Sequence, residues 1–171
     1  MNAHVTDTPI AFQPDAENTR LLRDAFGRFA TGVTIVTTKS DDGPVGITAN
    51  SFSSVSLEPA MVLWAPAKTS RRFQYFEKAQ HYAIHVLGSD QGALCNGFAK
   101  DAFALQHIEH QENQFGVPIM PNCLARFECK RVAGFDGGDH VIVLGQVLKA
   151  EMRDGNALGF YAGKIGQFAQ P

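Results

Sequence analysis

Three stretches of the chain combine residue types that can do chemistry. Gly46-Ile47-Thr48-Ala49-Asn50-Ser51-Phe52-Ser53-Ser54 sets small residues beside hydrogen-bonding side chains at the end of a predicted strand. Backbone amides open to close approach, with Thr48, Ala49, Asn50, Ser51, Ser53 and Ser54 around them, suit a flat heteroaromatic ring with an amide-like edge. The same composition also serves as ordinary turn material. Lys68-Thr69-Ser70-Arg71-Arg72 follows Pro66 and opens a predicted helix. Free amides, hydroxyls and cations gathered there fit a phosphate, and the cations stand at the helix end that normally disfavours them. An ordinary cap followed by solvated basic residues is the plainer reading. Gly138-Asp139-His140 opens the apolar run Val141-Ile142-Val143-Leu144. A histidine there sits at the rim of the core, within reach of a ligand or simply bonded to Asp139. His107 and His110 can share a helical face, but without a third ligand beside them no metal site is expected.

The elements that position these residues follow from pattern. A chain of 171 residues, 44% hydrophobic and 19% charged, can build a core without disulfide staples. Its net charge of −2 gives no electrostatic reason to expect nucleic acid or an anionic membrane, and no segment reaches the roughly 18 apolar residues of a membrane helix. Cys95, Cys123 and Cys129 form no CxxC; the last two share the more apolar face of a predicted strand, and a reducing cytoplasm is expected. Residues 1–17, with Pro9 and Pro14, read as an extended arm ahead of one domain over 18–171. Asn18 or Thr19 can cap a helix whose Leu21, Leu22, Ala25, Phe26 and Phe29 share one face. Strands are predicted over 33–38 and 45–52, joined at Asp41-Asp42-Gly43, then over 60–65 and 81–87. Helices are predicted over 69–79 and 89–100, with 101–121 irregular. Two long strands, 124–135 and 140–152, meet at Gly137-Gly138-Asp139, and the run after His140 is apolar enough to predict burial on both faces. The Gly-rich tail from Asp154 yields no assignment. Strands joined by hairpins and interrupted by short helices, with no βαβ alternation, predict a mainly β protein, an antiparallel barrel decorated by helices. No GxGxxG is present, which disfavours a Rossmann dinucleotide site.

In order and spacing, Thr31-Gly32-Val33, Gly46 through Ser56, Pro59, Lys68 through Arg71, His85-Val86-Leu87 ahead of Gln91, Phe98-Ala99 and Gly138-Asp139-His140 resemble the flavin reductase-like family. The resemblance runs from Leu21 to Leu148. It implies an FMN-binding split barrel, a six-stranded antiparallel Greek key, forming a homodimer with flavin near the interface. It implies that Thr48 to Ser54 line the isoalloxazine and ribityl portions. Lys68, Thr69, Ser70 and Arg71 would hold the phosphate, with Phe98, Ala99 and Lys100 nearby, and His140 would be the catalytic residue beside the nicotinamide. The activity implied is that of an NAD(P)H:flavin oxidoreductase using FMN or FAD and NADH or NADPH, supplying reduced flavin to a separate flavin-dependent monooxygenase. The cofactors carry the hydride chemistry in such an enzyme, so few reactive side chains are expected. At the C-terminus the chain departs from the family pattern. Asn156-Ala157-Leu158 lacks a proline, Ala162 replaces an arginine before Gly163, and Ile165 stands where a tyrosine is common. An FMN-binding carrier or sensor that uses no nicotinamide is the alternative this departure supports. An oxidase of a small phosphorylated cofactor on a related barrel lacks here a second basic cluster, and a barrel for an apolar ligand would leave Lys68, Arg71 and Arg72 as surface charge.

Overall fold

Helix α1 (Thr19–Phe26) leads into strands β1 (Thr31–Gly32), β2 (Thr34–Ser40), β3 (Gly43–Ala49), β4 (Ser53–Leu57) and β5 (Ala60–Trp64). Helix α2 (Phe73–Glu77), strand β6 (His81–Val86) and helix α3 (Gly92–Lys100) follow, then β7 (Gln111–Glu112), β8 (Pro118–Ile119), β9 (Ala125–Gly137), β10 (His140–Met152), β11 (Ala157–Tyr161) and β12 (Lys164–Phe168). This is a computed structural model, and it describes residues 8–168. Residues 1–7 of the expected arm and residues 169–171 lie outside the described residues.

Seven strands join antiparallel in the order β3-β2-β6-β9-β10-β5-β4, one more than the sequence predicts. The two edge strands, β3 and β4, are consecutive in the chain and separated only by Asn50-Ser51-Phe52. Four chain steps reach at most ~14 Å, whereas the edges of a flat seven-stranded sheet would lie ~29 Å apart. The sheet is therefore rolled into a barrel, and residues 50–52 are its seam. Its interior draws on strand after strand: Val36, Val45, Ile47, Val62, Trp64, Tyr82, Ile84, Cys129 and Val143 pack in one cluster with Phe76 of α2. A second cluster, including Ile35, Leu87, Cys95, Phe98, Leu105, Met120, Cys123 and Leu158, packs α3 and the segment after it against the outside of β2. Ile35 and Val36 point to opposite faces and both are fully buried, so β2 is covered on both sides. A three-stranded sheet, β1-β11-β12, is stitched on through Leu87, whose N–H donates to the Val33 carbonyl (3.0 Å) and whose carbonyl accepts from Leu158 (3.0 Å).

Several expectations shift for identifiable reasons. Asn18 precedes α1 but does not cap it; its side chain accepts from the Asp15 amide (3.0 Å) and donates to the Gln13 carbonyl (2.7 Å), tying down the preceding segment instead. Helix α1 ends at Phe26, short of Phe29, and the apolar side chains Leu21, Phe26 and, beyond the helix, Phe29 are exposed. β2, β3 and β6 approach burial on both faces, but β10 does not: its Ile142 lies outward opposite Phe135 of β9, and both are exposed. Helix α2 begins at Phe73 rather than Thr69, leaving 65–72 as a turn-rich loop. The three cysteines are free and buried, with Cys95 and Cys123 in the outer cluster and Cys129 in the barrel. Among the described residues no helix is long and apolar enough to cross a membrane.

Candidate functional site

The loop 65–72 gathers the predicted stretches. At the seam, Ser51 donates its hydroxyl to the Ala65 carbonyl (3.1 Å) and accepts from the Ala65 N–H (2.9 Å). Further along, Ala67 forms an antiparallel bridge with His140, Val141 donates to the Pro66 carbonyl (3.2 Å), and Lys68 donates its N–H to the Asp139 carbonyl (2.9 Å). At the far end, an Arg72 guanidinium N–H reaches the carbonyls of Phe98 (2.9 Å) and Ala99 (3.3 Å) at the end of α3. The seam, the Gly138-Asp139-His140 turn and the Phe98-Ala99-Lys100 segment thus all meet one loop.

What each residue can still offer a ligand differs. Thr48 spends its hydroxyl on the Cys95 carbonyl (3.0 Å), and the Ala49 carbonyl accepts from Thr34 (2.7 Å). Asn50, Ser53 and Ser54 are exposed. Ser53 and Ser54 begin β4, an edge strand whose outward amides and carbonyls have no neighbouring strand. Phe98 is fully buried over Gly46, where any Cβ would fall on its ring, so it belongs to the core while Ala99 and Lys100 are exposed. The three cations of the loop have three different positions. Lys68 donates its ammonium to Asp136 and to the Gly138 carbonyl (2.6 Å), and Arg72 turns inward to α3. Arg71 is exposed, and its guanidinium has no partner among the described residues. Thr69 is exposed too, and neither its amide nor that of Arg71 is hydrogen-bonded among the described residues. Ser70 is partly engaged, its hydroxyl accepting from the Arg72 amide (3.2 Å). What this loop leaves open to an anion is Thr69, Arg71 and two free amides, not a helix N-terminus.

At the other side of the loop, His140 Nδ1 lies 2.7 Å from Asp139 Oδ1. A carboxylate only accepts, so Nδ1 carries the proton and Nε2 is the nitrogen left to face outward. The hydrogen bond from His140, and then its charge, holds the Asp139 carboxyl below its ordinary range. The imidazole is 42% exposed, so a ligand can reach it.

Residues 26–169 match the flavin reductase like domain. The chain belongs to the flavin reductase-like family. It is 49% identical over 159 residues to an FMN reductase (NADH) of Agrobacterium fabrum, covering 93% of this chain and 91% of that protein. It is 44% identical to the reductase component of a flavin-dependent trigonelline monooxygenase of Acinetobacter baylyi, covering 84% of this chain but spanning 47% of that protein. Among solved structures, the NADH:FAD oxidoreductase SgcE6 of Streptomyces globisporus superposes with a TM-score of 0.86 at 32% identity, covering 96% of this chain and 95% of that one.

This flavin reductase-like domain also carries a feature that its sequence concealed. A groove of about 1180 Å³ runs between α1, residues 26–32 and the β11–β12 hairpin and reaches Asn50. Phe26, Phe29, Tyr161 and Phe168 line it together with Arg28 and Lys164. Of the residues predicted from sequence to bind the cofactors, Asn50 alone lines it; Phe26 and Phe29, read from sequence as a helix face, line it as well. The signal available beforehand was Phe160-Tyr161 next to Gly163, a strand end and a turn, too short to assign alone.

Proposed function

We propose that the chain reduces free FMN with NADH and passes reduced flavin to a separate monooxygenase. The observation that carries this reading is the convergence of the seam, the Thr69–Arg71 turn and His140 on the single loop 65–72. When bound, the nicotinamide supplies the hydride and the flavin accepts it. The chain's own contribution is binding and orientation. The open backbone and side chains of Asn50, Ser53 and Ser54 suit the amide-like edge of an isoalloxazine, with Thr48, Ala49 and Ser51 fixing the seam beneath them. Thr69 and Arg71, with their free amides, suit the phosphate on the ribityl chain, which FMN and FAD share. His140, aimed by Asp139, offers Nε2 to position the nicotinamide. The Agrobacterium relative, named for FMN and NADH, spans nearly the whole chain and supports that pair of cofactors; the Acinetobacter relative supports a partner oxygenase.

A homodimer belongs to the same proposal. The bare apolar face of α1 and the outward stripe of Phe135 and Ile142 are surfaces that a second copy would cover. Three free thiols fit a reducing cytoplasm.

The test is NADH and NADPH oxidation by purified protein, titrated with FMN and then FAD. Rates that saturate with free flavin, with FMN and NADH preferred, are expected. A flavin that copurifies and is reduced by neither nucleotide would sink the reductase reading and leave a carrier or sensor.

A further inference from the structure

Lys68 stands in the stretch that resembles a phosphate grip, yet its side chain is spent elsewhere. Its ammonium donates to the Asp136 carboxylate and to the Gly138 carbonyl (2.6 Å), while its backbone N–H donates to the Asp139 carbonyl (2.9 Å). Those acceptors are a residue near the end of β9 and both residues of the turn that delivers His140. The two residues before Lys68 continue the grip, Ala67 bridging His140 and Pro66 accepting from Val141 (3.2 Å). Packing does not hold this turn: Gly138 has a φ of +76°, and a Cβ built there would meet nothing within 4 Å. Asp136 and Asp139 are largely exposed. A turn with so little buried surface keeps one geometry through its polar bonds, and Lys68 supplies most of those that cross to another element. The Lys68 bond, and then its charge, holds the Asp136 carboxyl below its ordinary range. Two of the three ammonium N–H groups of Lys68 are thus engaged in the turn, whereas the Arg71 guanidinium has no partner among the described residues.

We propose that Lys68 is a positioning residue that clamps the 136–140 turn and so fixes His140, and that it is not a phosphate ligand. The inference rests on the reading of His140 as the nicotinamide-side residue. An exposed ion pair contributes little to global stability, so Lys68→Met is expected to fold.

The deciding comparison uses Lys68→Met, Lys68→Arg, Asp136→Asn and His140→Ala, each with FMN and with riboflavin, which lacks the phosphate. Flavin reduction is followed by stopped flow at saturating NADH, and steady-state KM values are measured for both flavins. Lys68→Met and Asp136→Asn are each expected to slow reduction by about tenfold with either flavin, less than the ~100-fold that a 1 Å misplacement can cost, because Ala67 and Pro66 still bridge His140 and Val141. The ratio of the FMN and riboflavin KM values is expected to stay within about twofold of wild type, and Lys68→Arg to recover most of the rate. Adding Lys68→Met to His140→Ala is expected to cost nothing further, because both act through one group. A KM raised for FMN alone would make Lys68 a phosphate ligand and overturn the proposal, as would an unchanged reduction rate. Amide exchange separates this proposal from the reading beneath it. If His140→Ala turns over like wild type, the role of His140 falls. Exchange at the Val141 amide then still decides the clamp, which stands if Lys68→Met loses that protection and falls if it does not.

Discussion

His85 is fully buried in β6, and burial decides its protonation. The Met120 N–H donates to its Nε2 (3.1 Å), so the ring proton is on Nδ1, which donates to the Ile35 carbonyl (3.1 Å). Both bonds belong to the neutral ring, and burial lowers the pKa from 6.5 to about 4. The folded pKa lies below the unfolded one, so the unfolded chain binds the proton first as pH falls. The stability this residue contributes is present above about pH 6.5, declines from there to about pH 4 and is gone below it; the difference is roughly 3 kcal/mol. Urea unfolding of wild type and His85→Asn across that window checks this. Wild type should lose more stability between pH 6.5 and 4 than the variant by about that amount, and parallel pH profiles would refute it. Lys68, Arg71 and Arg72 show what sequence can and cannot say at this scale. Their clustering was legible, because like charges near a turn are visible in a string of letters. Their division of labour was not, because it depends on Asp136, Gly138 and the end of α3, residues 26 to 70 positions away.

At the scale of elements, the strands that sequence revealed are those whose own residues favour extended chain. β2, β5, β6, β9 and β10 are rich in β-branched or apolar residues, and their predicted spans lie close to the observed ones. β4 was missed, because Ser53, Ser54 and Ser56 carry no strand preference and its existence rests on pairing with β5. The β11–β12 hairpin was missed for another reason. Its turn, Ala162-Gly163, has positive φ at both positions (48° and 77°), and alanine gives none of the warning that asparagine or glycine would. In β10, Gly145 is the point where an inner strand accepts a neighbour's bulk: a Cβ there would fall on the Tyr82 hydroxyl, with Cζ 2.9 Å away. Tyr82 is buried and cannot swing aside. Gly145→Ala should therefore destabilise by about 1–3 kcal/mol, as overpacking does. Tyr82→Phe, which removes a hydroxyl that has no hydrogen-bond partner among the described residues, should recover part of that loss. Equal loss with and without Tyr82→Phe would show that the clash lies elsewhere.

At the scale of the whole molecule, the described residues leave several large apolar side chains on the surface. Phe26 and Phe29 are 70% and 78% exposed, and Phe135 and Ile142 pair on an open face of the longest hairpin. Light scattering should give twice the chain mass for wild type. Phe29→Glu, which costs a single chain nothing because Phe29 is not in its core, should shift the protein towards monomer. A wild-type monomer at micromolar concentration would contradict the dimer. The barrel class was legible because hairpin signals recur along the chain. That β3 and β4 close on each other across three residues became visible only once the strand order was known, and with it the reason the Ser/Asn-rich stretch lies at a seam.

The buried thiols bear on durability. Reduced flavin that meets dioxygen before it meets an oxygenase returns to the oxidised form and leaves hydrogen peroxide. Peroxide attacks the thiolate of cysteine, not the thiol, and only where it can reach the sulfur. Cys95, Cys123 and Cys129 are enclosed, burial pushes each pKa up, and that of Cys129 rises to about 12. A catalyst of flavin reduction is thereby spared the oxidant that its own escaping product generates.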